Sequence, residues 1–388
     1  MHFTALAGPP NQKGTKRLDR SLRIMIAGWL ALGSPAWSKT EAVRPVPEYA
    51  PTPAVMLSAD LFAASYHAPE LMQAIVKADA AVVLATTAPQ NRRQLAGALL
   101  AQGVDRATVA RSFSMYIPHG NIWLRDYGPI MLSTVGSRSE MELASFRYDD
   151  PSAQVNNQFS QTLAGAAQLS ILAMPLVLDG GNLLVGGEYC FTSTQERQIT
   201  NRDEIEAHFA RLGCRKTVVI SEAPHAHLDM WMKIVSDQVA LVNQVDDAAM
   251  AAAKQFYGYI PDEVLRLKRL LDIKADELSR YLRIIRVPMP LPYRGVFRTY
   301  TNSVLVNGHA IVPSYRRFGW NYDSYPDARL LAGFENKVKK IYEKVGYRVS
   351  AIAADGLIFN GGAFHCVTLP LPFTGGISSP QSSTRKGN

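Results

Sequence analysis

Cysteine is scarce in this chain, with Cys190, Cys214 and Cys366 the only three in 388 residues. So few, and an odd number, exclude a disulfide-built scaffold, and the absence of a CxxC pair removes the usual zinc and dithiol-redox signatures. Cys190 and Cys214 can form one bridge, or all three can stay reduced; their positions leave both open. Other signatures are also missing. There is no GxGxxG, P-loop, HExxH or GxSxG, which weighs against dehydrogenase, kinase, zinc-protease and serine-hydrolase chemistry. No apolar run is long enough for a stable bilayer anchor; the run from Ile24 to Leu32 is too short.

The composition, 47% hydrophobic and 19% charged, is that of a globular protein able to bury a large core. The formal charge is +8. Half of it lies in the first 38 residues, where Lys13, Lys16, Arg17, Arg20 and Arg23 face only Asp19. The remainder is mildly basic, so nucleic-acid binding is not indicated. The order of basic run, apolar run and small residues at Ala36 and Ser38 predicts a secretion signal over 1–38 and a secreted or periplasmic location. An upstream start with a disordered leader, and a cytoplasmic protein, is the alternative.

Residues 39–57, rich in Pro, Ala and Val, are expected to be an extended linker, and the Gly/Ser/Pro-rich residues 374–388 a loose tail. Between them, over 58–373, short strands and helices alternate, the pattern of an α/β domain. Helices are predicted over Pro69–Lys77, Gln90–Gln102, Asp203–Leu212, Asp327–Val345 and, with a break near Gly258 and Pro261, Asp246–Arg283. Strands are predicted over Ala80–Thr87, Val109–Ile117, Met131–Thr134, Met141–Tyr148, Leu176–Leu178, Asn182–Val185, Glu188–Ser193, Lys216–Ser221, Tyr347–Ala353 and Phe364–Leu369. Hairpins are expected at Ser236-Asp237-Gln238, between His227–Val235 and Val239–Val242, and at Asn307-Gly308, between Thr301–Val306 and Ala310–Pro313.

Four segments carry residues suited to chemistry. Trp123-Leu124-Arg125-Asp126-Tyr127-Gly128-Pro129 offers a carboxylate to grip a planar cation and an aromatic to cover its face. Asp179-Gly180-Gly181-Asn182 adds a second acid beside backbone that can approach another group closely. His227-Leu228-Asp229, if on a strand, puts an imidazole and a carboxylate on one face. Gly361-Gly362-Ala363-Phe364-His365-Cys366 brings a thiol into a β-run after a flexible turn. Taken singly, each has a structural explanation: a tied-down turn, a tight turn, a core pair, an inert buried thiol.

Together, in this order over about residues 120–370, the segments resemble the agmatine deiminase and bacterial peptidylarginine deiminase family: WxRDxGP, an acid before Gly-Gly-Asn, HxD, and GGxxHC. The segment Tyr300-Thr301-Asn302-Ser303 with Ile311-Val312-Pro313 is similar to the family's Asn-containing strand. The resemblance implies the pentein fold, an α/β-propeller of five strand-helix units around a central site, with no metal or organic cofactor. It implies Cys366 as nucleophile and His227 as general acid and base. Asp126 and Asp179 are then the guanidinium holders, and Asp229 pairs with substrate or His227. Trp123 packs on the guanidinium, and Asn302 lines the site. The implied substrate is a small-molecule guanidine or a peptidyl arginine. The family's agmatine enzymes usually have Glu where Asp179 stands, which favours peptidylarginine over agmatine. Arg147 and Arg298 are candidate partners for a substrate carboxylate, and are equally readable as structural arginines. An amidinotransferase or an inactive binding protein of the same fold are the rival expectations.

Overall fold

The computed structural model describes residues 43–63, 66–135, 140–150, 152–194, 201–292, 296–315 and 328–373. The leader predicted over 1–38 and the tail over 374–388 lie outside them.

The chain begins with β1 (Val43–Pro45) and β2 (Ala54–Ser58), then α1 (Ala68–Lys77), β3 (Ala81–Thr86), α2 (Arg92–Ala101), α3 (Arg106–Ala110), β4 (Ser112–Tyr116) and the single turn α4 (Leu124–Tyr127). Next come β5 (Ile130–Thr134), β6 (Met141–Arg147), α5 (Ala153–Asn156), α6 (Phe159–Ala167) and β7 (Ser170–Val177). The third stretch is β8 (Leu184–Gly186), β9 (Tyr189–Ser193), α7 (Arg202–Arg211) and β10 (Lys216–Ile220). The fourth is β11 (Met232–Ser236), β12 (Val239–Gln244), α8 (Asp247–Tyr257), α9 (Asp262–Leu278) and β13 (Arg283–Pro288). The last is β14 (Val304–Val306), β15 (His309–Ser314), α10 (Ala328–Lys344), β16 (Arg348–Ala353), α11 (Asp355–Ile358) and β17 (Thr368–Leu371).

One plan recurs in the five sheets these strands form: an antiparallel pair, a helical crossover, then a strand parallel to the second member of the pair. Four of the pairs are sequence-local, β5–β6, β8–β9, β11–β12 and β14–β15. The fifth joins the ends of the described chain, β17 pairing with β2. A parallel neighbour needs a crossover of a dozen or more residues, which explains why each unit contains helix. The middle strands are apolar on both faces; Ala54–Ser58 is wholly buried. Each of its large side chains contributes roughly 1.5–3 kcal/mol on burial.

Local signals were often sound. Pro69 stands in the first turn of α1, Asn91 and Gln94 make a reciprocal cap on α2, and Asp246 caps α8. Asn307 and Gly308 both have positive φ, as a tight hairpin turn demands. Asn307 also ties its turn to the N-terminal segment, accepting from the Thr52 amide at 2.8 Å and donating to the Thr52 carbonyl at 2.9 Å.

Four expectations differ from the structure. Residues 39–57 do not form a linker throughout, since β1 pairs with β5 and β2 sits in the middle of a sheet. Both pairings are long-range and leave no local pattern. Val109 and Ala110, expected to open a strand, instead end the helix α3, which the Asp105 side chain caps through the Thr108 amide, and the strand starts at Ser112. His227 precedes a 3-10 turn, Leu228–Met230, and the strand starts only at Met232. The closing strand starts at Thr368, so Cys366 lies in the turn before it.

Cys190 in β9 and Cys214 after α7 form a disulfide, with Cα atoms 5.7 Å apart. It staples one crossover to its own sheet. Cys366 is a buried thiol. No helix among the described residues is long and apolar enough to cross a membrane.

Candidate active site

The chemistry-bearing segments occupy equivalent places in the fold. Each lies where the last parallel strand of one unit passes to the next antiparallel pair. Trp123 and Asp126 lie between β4 and β5, Asp179 between β7 and β8, and His227 and Asp229 between β10 and β11. Asn302 lies between β13 and β14, and Cys366 between β16 and β17. Residues 180 or more apart in sequence are thus brought together by topology.

The Cys366 thiol is 3.6 Å from Asp229 Oδ2 and accepts a hydrogen bond from Asn302 Nδ2 at 3.2 Å. Asn302 also fixes the turn that carries the thiol, through the Ala363 amide on its Oδ1 at 3.0 Å. The Arg125 amide donates to the Cys366 carbonyl at 3.1 Å, so the WxRD and HC segments are clamped by backbone. His227 Nε2 meets Asp179 Oδ2 at 3.0 Å, and its Nδ1 is 3.6 Å from Asp126 Oδ1. Asp229 is fully buried, whereas the side chains of His227 and Asp179 are 19% and 24% exposed. The site therefore has a deep end, Cys366 and Asp229, and a mouth, His227 and Asp179.

Two glycines allow this convergence. A Cβ on Gly181 would meet His227 Nδ1 at 2.9 Å and Asp126 Oδ1 and Asp229 Oδ2 at 3.1 Å. A Cβ on Gly362 would meet Cys366 Sγ and Trp123 Cζ3, both at 2.8 Å, so thiol and indole flank one space. Gly181→Ala is expected to displace the histidine and two carboxylates together. kcat/KM should fall by about 10²-fold, the cost of misplacing reacting groups by about 1 Å, with the fold retained by circular dichroism. Activity within twofold of the parent would contradict this geometry.

The electrostatics follow from burial and charge. Burial, with the charges of Asp229 and Asp126, pushes the Cys366 thiol up to about 12 against the pull of its bond to His227. Burial opposes a charged His227, but Asp126, the bond to Asp179, Cys366 and Asp229 outweigh it and hold the imidazolium well above its ordinary range. Burial likewise opposes ionisation of Asp229, but His365, His227 and Lys233 hold it below the usual carboxylate range. The resting site is thus a neutral thiol beside an imidazolium and acids.

Of the residues singled out from sequence, Cys366, His227, Asp229, Asp126, Asp179, Asn302 and Trp123 come together. Arg147 is tied by backbone to Leu178, the residue before Asp179; it is exposed at the end of β6, where its carbonyl accepts the Leu178 amide. Arg298 is placed by its contacts with Leu291 and Tyr315; it is buried, donates to the Leu291 carbonyl at 3.0 Å and lies over Tyr315. Sequence reading missed Tyr148, which packs on Tyr127 and feels the charges of Asp126 and Asp179. It also missed Glu48, Lys233 and the part played by His365. Lys233 had a signal, a lone cation inside the apolar run Met232–Val235. Glu48 had none.

With this geometry in hand, the comparisons with known proteins are decisive. A family model described as Porphyromonas-type peptidyl-arginine deiminase matches residues 50–372. The chain belongs to this family. It is therefore a guanidino-group deiminase by descent, within the pentein superfamily that also holds the agmatine deiminases. A Vibrio parahaemolyticus protein provisionally named agmatine deiminase is 22% identical over 66% of this chain and 77% of its own. The fold matches that of agmatine deiminase from Enterococcus faecalis, with a TM-score of 0.64 and 12% identity over 85% of this chain and 96% of the other. It matches the C. jejuni agmatine deiminase with a TM-score of 0.60 and 16% identity, over 84% and 95%.

Proposed function

We propose that the protein hydrolyses the guanidinium of peptidyl arginine to a ureido group and ammonia, by covalent catalysis at Cys366. The observation that carries this reading is the convergence of one thiol, one imidazole and three carboxyl groups on a space bordered by Trp123. We read the five sheets as blades ringed about that space.

A guanidinium is a delocalised cation and a poor electrophile. Carboxylates at its nitrogens localise its charge and orient its carbon. Asp179 suits that task at the mouth, and Asp126, buried beside His227, suits it further in. Asp229 suits it at depth, where its Oδ1 has no hydrogen-bond partner among the described residues. A neutral thiol among three acids loses its proton readily only when a cation joins them; that proton passes to solvent, since His227 already carries its own, and substrate entry so favours the thiolate. The thiolate forms an S–C bond, His227 protonates the departing nitrogen, and the C–N bond breaks to release ammonia. A thiouronium then links the substrate to Cys366. His227, now neutral, takes a proton from water as its oxygen attacks; the C–S bond then breaks, the hydroxyl proton of the adduct passes to the departing sulfur, and the ureido product and the thiol are released.

The peptidyl substrate is favoured by the shorter Asp179 arm and by export. The leader order in the sequence supports export, and so does the Cys190–Cys214 disulfide, a bond that persists in oxidising compartments. The names of the relatives favour agmatine as the second reading. The filled site argues against an inactive binding protein, and ammonia released without an amine acceptor would exclude amidino transfer. A ureido assay on a peptide with internal arginine, free arginine and agmatine, side by side, orders the candidates. The peptide is expected to give the highest kcat/KM. Agmatine in first place would replace it, and no turnover of any of the three would reject the reading.

A further inference from the structure

Behind the site, a chain of titratable groups leads from Asp229 to residues that the reaction scheme does not use. Asp229 Oδ2, the oxygen facing Cys366, meets His365 Nδ1 at 2.6 Å. His365 Nε2 meets Glu48 Oε2 at 2.9 Å, and the same oxygen takes Lys233 Nζ at 2.7 Å. Glu48 Oε1 accepts the Leu305 amide at 2.9 Å. His365 and Lys233 are 2% and 0% exposed. Each partner comes from a different part of the fold: Glu48 from the segment after β1, Lys233 from β11, His365 from the turn before β17. Glu48 precedes the span that the family model matches.

We propose that Glu48 and His365 are positioning residues for catalysis, forming with Asp229 a buried carboxylate–imidazole–carboxylate relay that fixes the orientation and charge of Asp229 beside Cys366. This rests on the deiminase reading above. The argument is one of donors and acceptors. A histidine between two carboxylates has an acceptor on each ring nitrogen, so each nitrogen must donate. An imidazolium there turns its bond to Asp229 into a charge-assisted one, shorter and roughly twice as strong as a neutral one. Burial makes an uncompensated charge costly, so Glu48 is needed to hold the second hydrogen on His365, and Lys233 to hold Glu48 ionised. Glu48 is held below the usual carboxylate range; burial opposes this, and His365, Lys233 and Arg125 overcome it. The groups facing the relay are His227 and Cys366 at the Asp229 end, and Lys233, Arg125, Tyr342 and Tyr347 at the Glu48 end. A cavity of about 70 Å³ is lined by Glu48, Arg125 and His365 but by none of Cys366, His227, Asp126 or Asp179.

The test is Glu48→Gln, with Glu48→Gln/Lys233→Met as a second variant that keeps the core neutral should the first fail to fold. Two readouts are taken on the full protein. In the first, the pH profile of kcat/KM, loss of the imidazolium weakens the hold on ionised Asp229. The acid limb then moves to higher pH, and kcat/KM at neutral pH falls about ten- to hundredfold. A residue that only supported the fold would lower kcat/KM by one factor at all pH values. The second readout needs no substrate: nitrogen-15 spectra of histidine-labelled protein, expected to show hydrogen on both ring nitrogens of His365 in the parent and on Nδ1 alone in the variants. An unmoved acid limb, or a His365 that keeps both hydrogens in the variants, overturns the relay. Absence of turnover in the parent would refute the deiminase reading while leaving the spectra to decide the relay.

Discussion

Replacing Cys366 by alanine is expected to leave a folded protein that forms no ureido product from any guanidine. Among the described residues, the thiol is the nucleophile that the fold brings to the deep end of the site. Asn302 and the Arg125 amide hold it there by bonds that do not depend on substrate. Loss of a nucleophile costs on the order of 10⁴-fold or more in kcat, because the remaining groups can bind and polarise but cannot open a covalent route. Burial of a small side chain there keeps the core intact, and thermal unfolding should stay within a few degrees of the parent. Measurable turnover at even a hundredth of the parental rate would remove Cys366 from the role assigned to it.

Asp126→Asn should have the next largest effect, and a distinctive one. The side chain keeps its size and loses its charge. One hold on the guanidinium goes, so kcat/KM is expected to fall about 10²- to 10³-fold, the range for removing a group aimed at developing charge. The second consequence concerns His227. Asp126 is the foremost of the charges that raise its proton affinity against burial. Without it the imidazolium is held less strongly, so the proton is lost at lower pH. The alkaline limb of kcat, where His227 must be charged to protonate the departing nitrogen, should therefore move to lower pH. A uniform loss with an unmoved limb would mean that Asp126 touches substrate alone. No loss at all would take it out of the site.

Much of the candidate site is legible in the sequence because each of the converging groups sits in a junction with its own short motif. A turn must satisfy its backbone within a few residues. Gly180-Gly181 and Gly361-Gly362 are therefore local marks of close approach, and the structure shows what they approach. The hairpin at Asn307-Gly308 was legible for the same reason. Reading failed where structure is made by distant pairing. Val43–Pro45 is a strand because β5 lies beside it, and Ala54–Ser58 because β3 and β17 flank it. Proline-rich residues 39–57 give no period to show that. Glu48 is the sharpest case: a lone acid in an apparent linker that becomes the end of a buried relay through His365, more than 300 residues away. The apolar run after His227 is a strand, which is why the sequence suggests a strand for His227 as well. The Leu228–Met230 turn that aims its ring is set by packing against the Gly180–Asn182 turn.

Covalent attachment at Cys366 is the claim on which the account stands, and rapid acid quench with mass mapping tests it most directly. Enzyme mixed with a turned-over guanidine substrate should show the Cys366 peptide heavier by the substrate less one ammonia, a gain that fades as substrate runs out. Such a gain on any other residue, or full product formation with the Cys366 peptide unmodified at every quench time, would contradict it.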